Sequence, residues 1–222
     1  SAACLKAAVQ ARAVELIDHK SGQTVCSLDL EKYNKGLVHL MMHRADLINI
    51  LFKACVDAGV SFLFGERVMS VLNDPKPEIV TASDRYCPEV VICADGVHSV
   101  GRKSLLGQVA PYFTGHVAWR ALVPNTNDHP DVARIYMGPK KHVVTYPIRD
   151  RSVLNLVLIE ERDSWVKESW SEQGDSNALR HSFCEFNLGT DDLLSHVQAP
   201  YLWGLFRHPV AQKWHAGGVV LL

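Results

Sequence analysis

The stretch ADGVHSVGR, residues 94–102, sets Asp95, Gly96, Ser99 and Arg102 directly behind the apolar run VVIC. A strand that ends this way delivers a carboxylate and a permissive backbone to the carboxyl edge of a sheet, where α/β folds gather ligands. Gly96 allows close backbone approach. Ser99 and Arg102 offer a hydroxyl and a fixed charge, either to a phosphate or to the loop itself. Asp-Gly after a strand is also a common turn, so the residues alone leave both readings open. A second set lies in HVVTY, residues 142–146. His142 and Tyr146 have equal parity, so on a strand they share one face. They can line a pocket together, or Tyr146 can pack in the core while His142 caps the strand.

Other chemistry is poorly supported. The six cysteines never stand at C-x-x-C spacing, and most lie among apolar residues. They read as reduced, buried small hydrophobes, not a disulfide framework. Of the eleven histidines, His39 and His43 stand four apart with no third ligand nearby, which fits two separate structural histidines better than a metal site. A net charge of -1 gives no field to recruit nucleic acid or an anionic membrane. No apolar run approaches the roughly 20 residues of a membrane span. No signal peptide is legible, which makes the cytoplasm the default expectation. Trp119 reads as core packing and Arg120 as a structural ion pair. ERDSWVKESW, holding Trp165 and Trp170, reads as a surface helix.

The elements that must position these residues follow from periodicity. Residues 2–13 fit the tail of a helix. Residues 14–26 fit a hairpin punctuated by Ser-Gly. Ala45 to Ala58 is the clearest helix, with Leu47, Leu51, Ala54, Cys55 and Ala58 in one stripe and Gly59 after the end. Val60, Phe62 and Phe64 alternate as a strand, which suggests a parallel crossover. Strands are expected at 67–72 and 78–82. Residues 90–94 form a continuous apolar run typical of a strand buried on both faces. Strands at 116–123, 133–137, 142–148 and 152–160 read as an antiparallel meander. Residues 175–198 look helical with breaks, and 217–222 end in a buried-type strand.

Taken together, the motifs resemble the class A FAD-dependent aromatic hydroxylases of the 4-hydroxybenzoate hydroxylase fold, nearest to salicylate and 3-hydroxybenzoate hydroxylases. VVICADGVHSVGRKSLLG matches their D-G-x-x-S-x-x-R pattern, MHRADLINIL their H-R-x-x-L helix start, HVAWRALVP the strand entering the substrate domain, and KWHAGGVVLL the stretch before Gly-Asp. The resemblance implies a mixed α/β fold. A three-layer FAD-binding domain with a partly parallel sheet (39–110 and 206–222) would interleave with a mostly antiparallel substrate domain (1–38 and 111–205). It implies cofactor contacts from Arg44, Val68, Asp95, Gly96, Ser99 and Arg102. It casts His142 and Tyr146 as catalytic residues that line the substrate and assist phenol deprotonation.

The implied activity is NAD(P)H-consuming monooxygenation of a phenolic or aromatic acid through a flavin hydroperoxide. FAD would be the cofactor, NADH or NADPH the co-substrate and molecular oxygen a partner, with a homodimer left open. A ubiquinone-pathway or kynurenine-type hydroxylase, or a non-catalytic segment, are the alternatives. The family's G-x-G-x-x-G and Gly-Asp motifs are not found in the sequence, so the expectation is a segment of a longer enzyme with weak flavin retention on its own.

Overall fold

In VLNLVLIEE, residues 153–161, every second side chain is apolar and buried, and the intervening ones are half-buried. That alternation recurs along the neighbouring strands and sets the faces of the main sheet. The computed structural model describes residues 2–33, 36–165, 173–189 and 192–222. In chain order the elements are α1 (Ala2–Ala7), β1 (Val9–Gln10), β2 (Ala13–Asp18), β3 (Thr24–Asp29), α2 (Leu30–Tyr33), β4 (Leu40–Met41) and α3 (Arg44–Asp57). Next come β5 (Val68–Asn73), β6 (Pro77–Thr81), β7 (Arg85–Tyr86), β8 (Val91–Cys93), α4 (Val100–Leu106), β9 (Tyr112–Pro124), β10 (Val132–Gly138), β11 (Lys141–Ile148) and β12 (Val153–Glu161). The chain closes with α5 (Ser176–Ser182), β13 (Tyr201–Arg207), β14 (His215–Ala216) and β15 (Val219–Leu221). The mixed α/β class agrees with expectation. The chain packs as two units, Ser1–Val60 with Gly115–Leu205, and Ser61–Thr114 with Phe206–Leu222. These packing units place 39–60 with the larger body, whereas the division implied by the resemblance assigned that segment to the cofactor domain.

The larger unit is built on a seven-stranded sheet of order β13-β9-β12-β11-β10-β2-β3. It is not the simple meander the sequence suggests. β9 pairs with β12 instead of β10, and β10 pairs in parallel with β2. Residues 125–131 make the difference. They form a long connection, tied down by His129 and Asp131, where a tight hairpin would have kept β9 beside β10.

One face of this sheet is closed. Trp119, Leu154, Leu156, Leu158 and Val143 are buried on it, and the segment containing α5 lies across it. Gly174 sits so close that a Cβ there would fall 2.3 Å from the Trp119 ring. The other face carries His142, Val144 and Tyr146, with Ile135 and Val157 beside them, all half-buried. Val9, Ala11, Leu30 and Met41 cover its Tyr146 end, joining Ile148 in a small core.

The smaller unit holds two three-stranded sheets, β14-β15-β8 and β5-β6-β7. β15 and β8 pair in parallel, and Val91, Cys93, Val219 and Leu221 pack with Val71. Two expectations fail here. Ile92 is 62% exposed, so β8 is buried on one face only: α4 covers that face and no described element of this unit covers the other. Residues 60–64 form no strand among the described elements, and the Val60 N–H goes to the Cys55 carbonyl at the end of α3 instead. The Phe62 and Phe64 rings keep the parity of an extended chain and stack at 5.6 Å.

Elsewhere the helix expected over 2–13 ends at Ala7, and Val9–Gln10 pairs with β4 instead. The helix at 44–57 forms as expected, but none of its residues is buried. Of the surface helix expected at ERDSWVKESW, residues 161–170, Glu161 ends β12 and 162–165 are not helical, while 166–170 lie outside the described residues.

Candidate functional site

Two places in the fold collect chemically capable side chains, one in each unit. In the smaller unit, the apolar run of β8 ends at Ala94 and the chain turns through Asp95-Gly96. Gly96 takes φ +74° with open space where a Cβ would be, so the turn requires glycine. Asp95 accepts from the Ser99 hydroxyl at 2.5 Å and from the backbone N–H of Val100 at 2.7 Å and of Gly101 at 3.2 Å. Partial burial pushes its carboxyl up, but these donors outweigh that and hold it below the usual range. Ser99 caps α4 by accepting from the Arg102 N–H at 2.8 Å. Gly101 lets the helix lie against β8: a Cβ there would sit 2.1 Å from Cys93 Sγ. The motif is therefore a self-locking loop first, since Asp95 and Ser99 bind their own backbone.

Arg102 closes the loop from the other side, donating to the Pro209 carbonyl at 2.6 Å. His208 donates from Nε2 to the Val97 carbonyl at 2.7 Å. Arg102 Nε and His208 Nδ1 are buried without a partner. Both residues line a cavity of about 280 Å³, with His98, Lys103 and Ser99 in its wall and no carboxylate. A cavity with cationic walls and two orphaned nitrogens suits an anion. His208 was not foreseen: its contact joins residues 111 apart in sequence, and no local pattern announces it.

The remaining cofactor candidates stand elsewhere. Val68 opens β5, pairs with Thr81 and is 36% exposed. Arg44 belongs to the larger unit, exposed in the first turn of α3. That turn is set by His43, whose Nδ1 accepts from the Ala45 N–H, and by Asp46, held by Arg149 at 3.1 Å. The Arg149 hydrogen bond keeps the Asp46 carboxyl below its usual range. The structure thus brings Asp95, Gly96, Ser99 and Arg102 into one loop, and places Val68 and Arg44 on other elements.

In the larger unit, His142 and Tyr146 share a face of β11, as parity requires, but they meet different surroundings. Tyr146 packs against the Ile148 core. His142 lines a cavity of about 400 Å³ at the open end of the sheet, with His116, Ile135, Met137, Lys140 and Glu161. Burial holds His142 below the ordinary histidine value, and the nearby His116 adds to the effect. An imidazole pushed toward its neutral form can accept a proton. The companion residue His116 was legible in retrospect: it opens HVAWR with the same parity as Arg120.

Trp119 is buried core, as expected, and its Nε1 donates to Glu160 at 3.1 Å. Among the described residues Arg120 makes no ion pair of the kind expected. Its guanidinium lies over the Trp203 ring at 5.3 Å, because β9 and β13 are neighbours in the sheet. All six cysteines are free thiols, and among the described residues no His/Cys/Asp/Glu group of metal-binding geometry occurs. No described helix is long and apolar enough to cross a membrane.

No family model matches the chain. It is similar to an FAD-dependent monooxygenase of Nectria sp. (29% identity over 82% of this chain and 46% of the relative). It is also similar to 3-amino-4-hydroxybenzoate 2-monooxygenase PtnB3 of Streptomyces platensis (26%, 96% and 56%) and to salicylate hydroxylase of Pseudomonas putida (26%, 84% and 48%). The chain spans about half the length of these curated relatives. Among solved structures, a salicylate hydroxylase substrate complex superposes with a TM-score of 0.80 at 23% identity, covering 97% of this chain and 58% of that one. Klebsiella pneumoniae HpxO, complexed with FAD and uric acid, gives 0.83 at 18% identity, covering 99% and 58%.

Proposed function

We propose that this chain, a homologue of FAD-dependent monooxygenases built on the fold of the flavoprotein hydroxylases, is part of an enzyme that hydroxylates a phenolic or aromatic acid. The observation that carries the reading is the cavity at the open end of the main sheet, where His142 lies beside Ile135 and Met137, in a chain whose relatives named above include aromatic hydroxylases. FAD, when bound, supplies the oxygen-activating chemistry that no side chain here can perform. The fit of the residues to such a cofactor rests on the smaller unit. The orphaned Arg102 Nε and the acid-free, cationic wall around it suit a diphosphate.

In this reading Arg102 neutralises the anion, Gly96 lets it approach the backbone, and Asp95 and Ser99 hold the loop in shape. Arg44 and Val68 are assigned to the same cofactor from their own elements. The division into a cofactor part, 39–110 and 206–222, and a substrate part, 1–38 and 111–205, belongs to this proposal. His142 takes the phenol proton, with Ile135 and Met137 excluding water beside it; Tyr146, expected beside it, packs against the Ile148 core instead. NADH or NADPH is the electron source, oxygen the second substrate, and the cytoplasm the expected location.

The test is to purify the full-length gene product and follow NADH and NADPH oxidation with a panel of phenolic acids. Stimulation by salicylate or a hydroxybenzoate, with a hydroxylated product, is the expected result. Silence with both classes removes the reading.

A further inference from the structure

Between β11 and β12 the chain turns through Arg149, Asp150 and Arg151, and all three take a left-handed backbone, with φ of +50°, +52° and +65°. A residue with a Cβ is strained there, and such strain persists only where the surroundings enforce it. Glycine or asparagine would take this backbone with less strain. What the two arginines add is a guanidinium on each flank of the turn. Arg151 holds both oxygens of Asp131 and so ties down the 125–131 connection. Asn125 Nδ2 donates to the Arg151 carbonyl at 2.7 Å, and the Ser152 hydroxyl donates to the Arg149 carbonyl at 2.6 Å. Arg149 reaches a different segment: it donates from Nε to Asp46 Oδ2 at 3.1 Å and from Nη2 to Oδ1 at 3.3 Å.

Asp46 stands in the first turn of α3, a helix none of whose residues is buried. No buried stripe therefore fixes its rotation about its own axis. Its entry is held at two points instead. Met41 lies in the Ile148 core just ahead of it, and the Arg149 fork grips Asp46. Arg44 precedes Asp46 by two residues, roughly 200° around a helix. With Asp46 turned toward the β11–β12 turn, Arg44 emerges exposed on the opposite side. Among the described residues no hydrogen bond or ion pair holds its guanidinium. The same fork neutralises Asp46, the acidic residue of this turn, which would otherwise repel an anion arriving at Arg44.

We infer that Arg149 is a positioning residue: through Asp46 it sets the first turn of α3 so that Arg44 is presented to an anionic group of the cofactor. This rests on the proposed reading, in which Arg44 contacts FAD. The strained turn is the fixed base of the arrangement. Arg151, Asn125 and Ser152 lock its backbone, so Arg149 acts from a rigid point. An ion pair whose side chains are 46% and 30% exposed contributes little to stability, so its effect is on orientation.

The test has two parts. First, hydrogen exchange is followed in the chain and in Arg149→Asn, since asparagine suits the left-handed backbone. The Asp46 and Leu47 amides, which donate to the His43 carbonyl, should exchange roughly tenfold faster in the variant, with β11 and β12 unchanged. Unchanged exchange at both amides overturns the inference. If Arg149→Asn does not fold, Asp46→Asn breaks the fork from the other side and the same outcomes decide.

Second, FAD affinity of the full-length protein is measured by flavin fluorescence. Arg149→Asn should weaken it roughly tenfold, and Arg149→Lys should recover part of the loss. Arg149→Asn combined with Arg44→Gln should bind no more weakly than Arg44→Gln alone, because Arg149 acts through Arg44. Additive losses overturn the inference. Asp150→Gly relieves strain but leaves both forks, and should bind FAD as the wild type does. A loss there equal to that of Arg149→Asn makes the shape of the turn responsible and also overturns it. If Arg44→Gln binds FAD normally, the role of Arg149 falls while phenol-stimulated turnover still decides the hydroxylase reading. If the full-length protein binds no FAD, that reading falls and takes this role with it.

Discussion

The two faces of the seven-stranded sheet carry equally polar residues in opposite conditions. On the closed face Glu160 is 5% exposed, yet each carboxylate oxygen is satisfied. Trp119 and Arg162 donate to one and the Ser182 hydroxyl to the other, with Lys141 at 3.8 Å. Burial pushes this carboxyl up, but the donors outweigh it and hold it below the usual range. On the open face His142 and His116 share a roomy cavity where burial works with a like charge. A buried, saturated polar group ties elements together, while a group lining open space can be reached by a ligand. The closed face therefore reads as scaffold and the open face as site.

The largest way to break this contrast is Glu160→Ala. It strands the Trp119 indole, Arg162 and Ser182 without an acceptor and should lower unfolding stability by about 3–5 kcal/mol in urea denaturation. Loss of under 1 kcal/mol would show that the cluster is not a clamp.

Adjacent residues on β12 sharpen the comparison. Leu156→Ala, on the closed face at 0% exposure, should cost about 3 kcal/mol. Val157→Ala, next to it on the half-buried open face, should cost under about 1 kcal/mol. Equal losses would mean that both faces are packed alike.

A smaller effect comes from His129, which lies on the closed side with Nδ1 donating to the Pro130 carbonyl and Nε2 accepting from buried Thr145 at 2.8 Å. Burial lowers its value from the ordinary 6.5, the neighbouring Arg134 lowers it further, and the Pro130 contact opposes. Below that ordinary value the unfolded chain binds the proton that the folded chain refuses. Stability is then full above pH 6.5 and declines as pH falls toward the depressed folded value. His129→Gln should flatten this acid limb while costing about 1 kcal/mol at higher pH. An unchanged acid limb would place the sensitivity elsewhere. The smallest effect is expected for Arg120→Ala on the open face, about 0.5 kcal/mol, since the guanidinium lies exposed over Trp203.

Much of the architecture was legible because it is local. Alternation placed β9 to β12 and β5 to β6, an apolar stripe and a following glycine bounded α3, and parity put His142 and Tyr146 on one face. Even Glu160 carried a signal, since it falls on the same parity as Leu154, Leu156 and Leu158. The motif ADGVHSVGR showed in advance which residue types would meet. It did not show that Asp95 and Ser99 spend their hydrogen bonds on α4.

What the sequence by itself determined is the set of short-range choices: where the chain extends, coils and turns, and which side chains alternate inward. Pairing order was decided only in three dimensions. β9 lies beside β12, β10 runs parallel to β2, and 60–64 joins no described sheet, because backbone donors select partners that no local pattern names. Tertiary structure also separated two residues that the sequence had treated as equals. Tyr146 and His142 share a strand face, but the 9–41 segment covers one and leaves the other beside a cavity. Reactivity follows burial and neighbours, and those are set by chain segments far away in sequence.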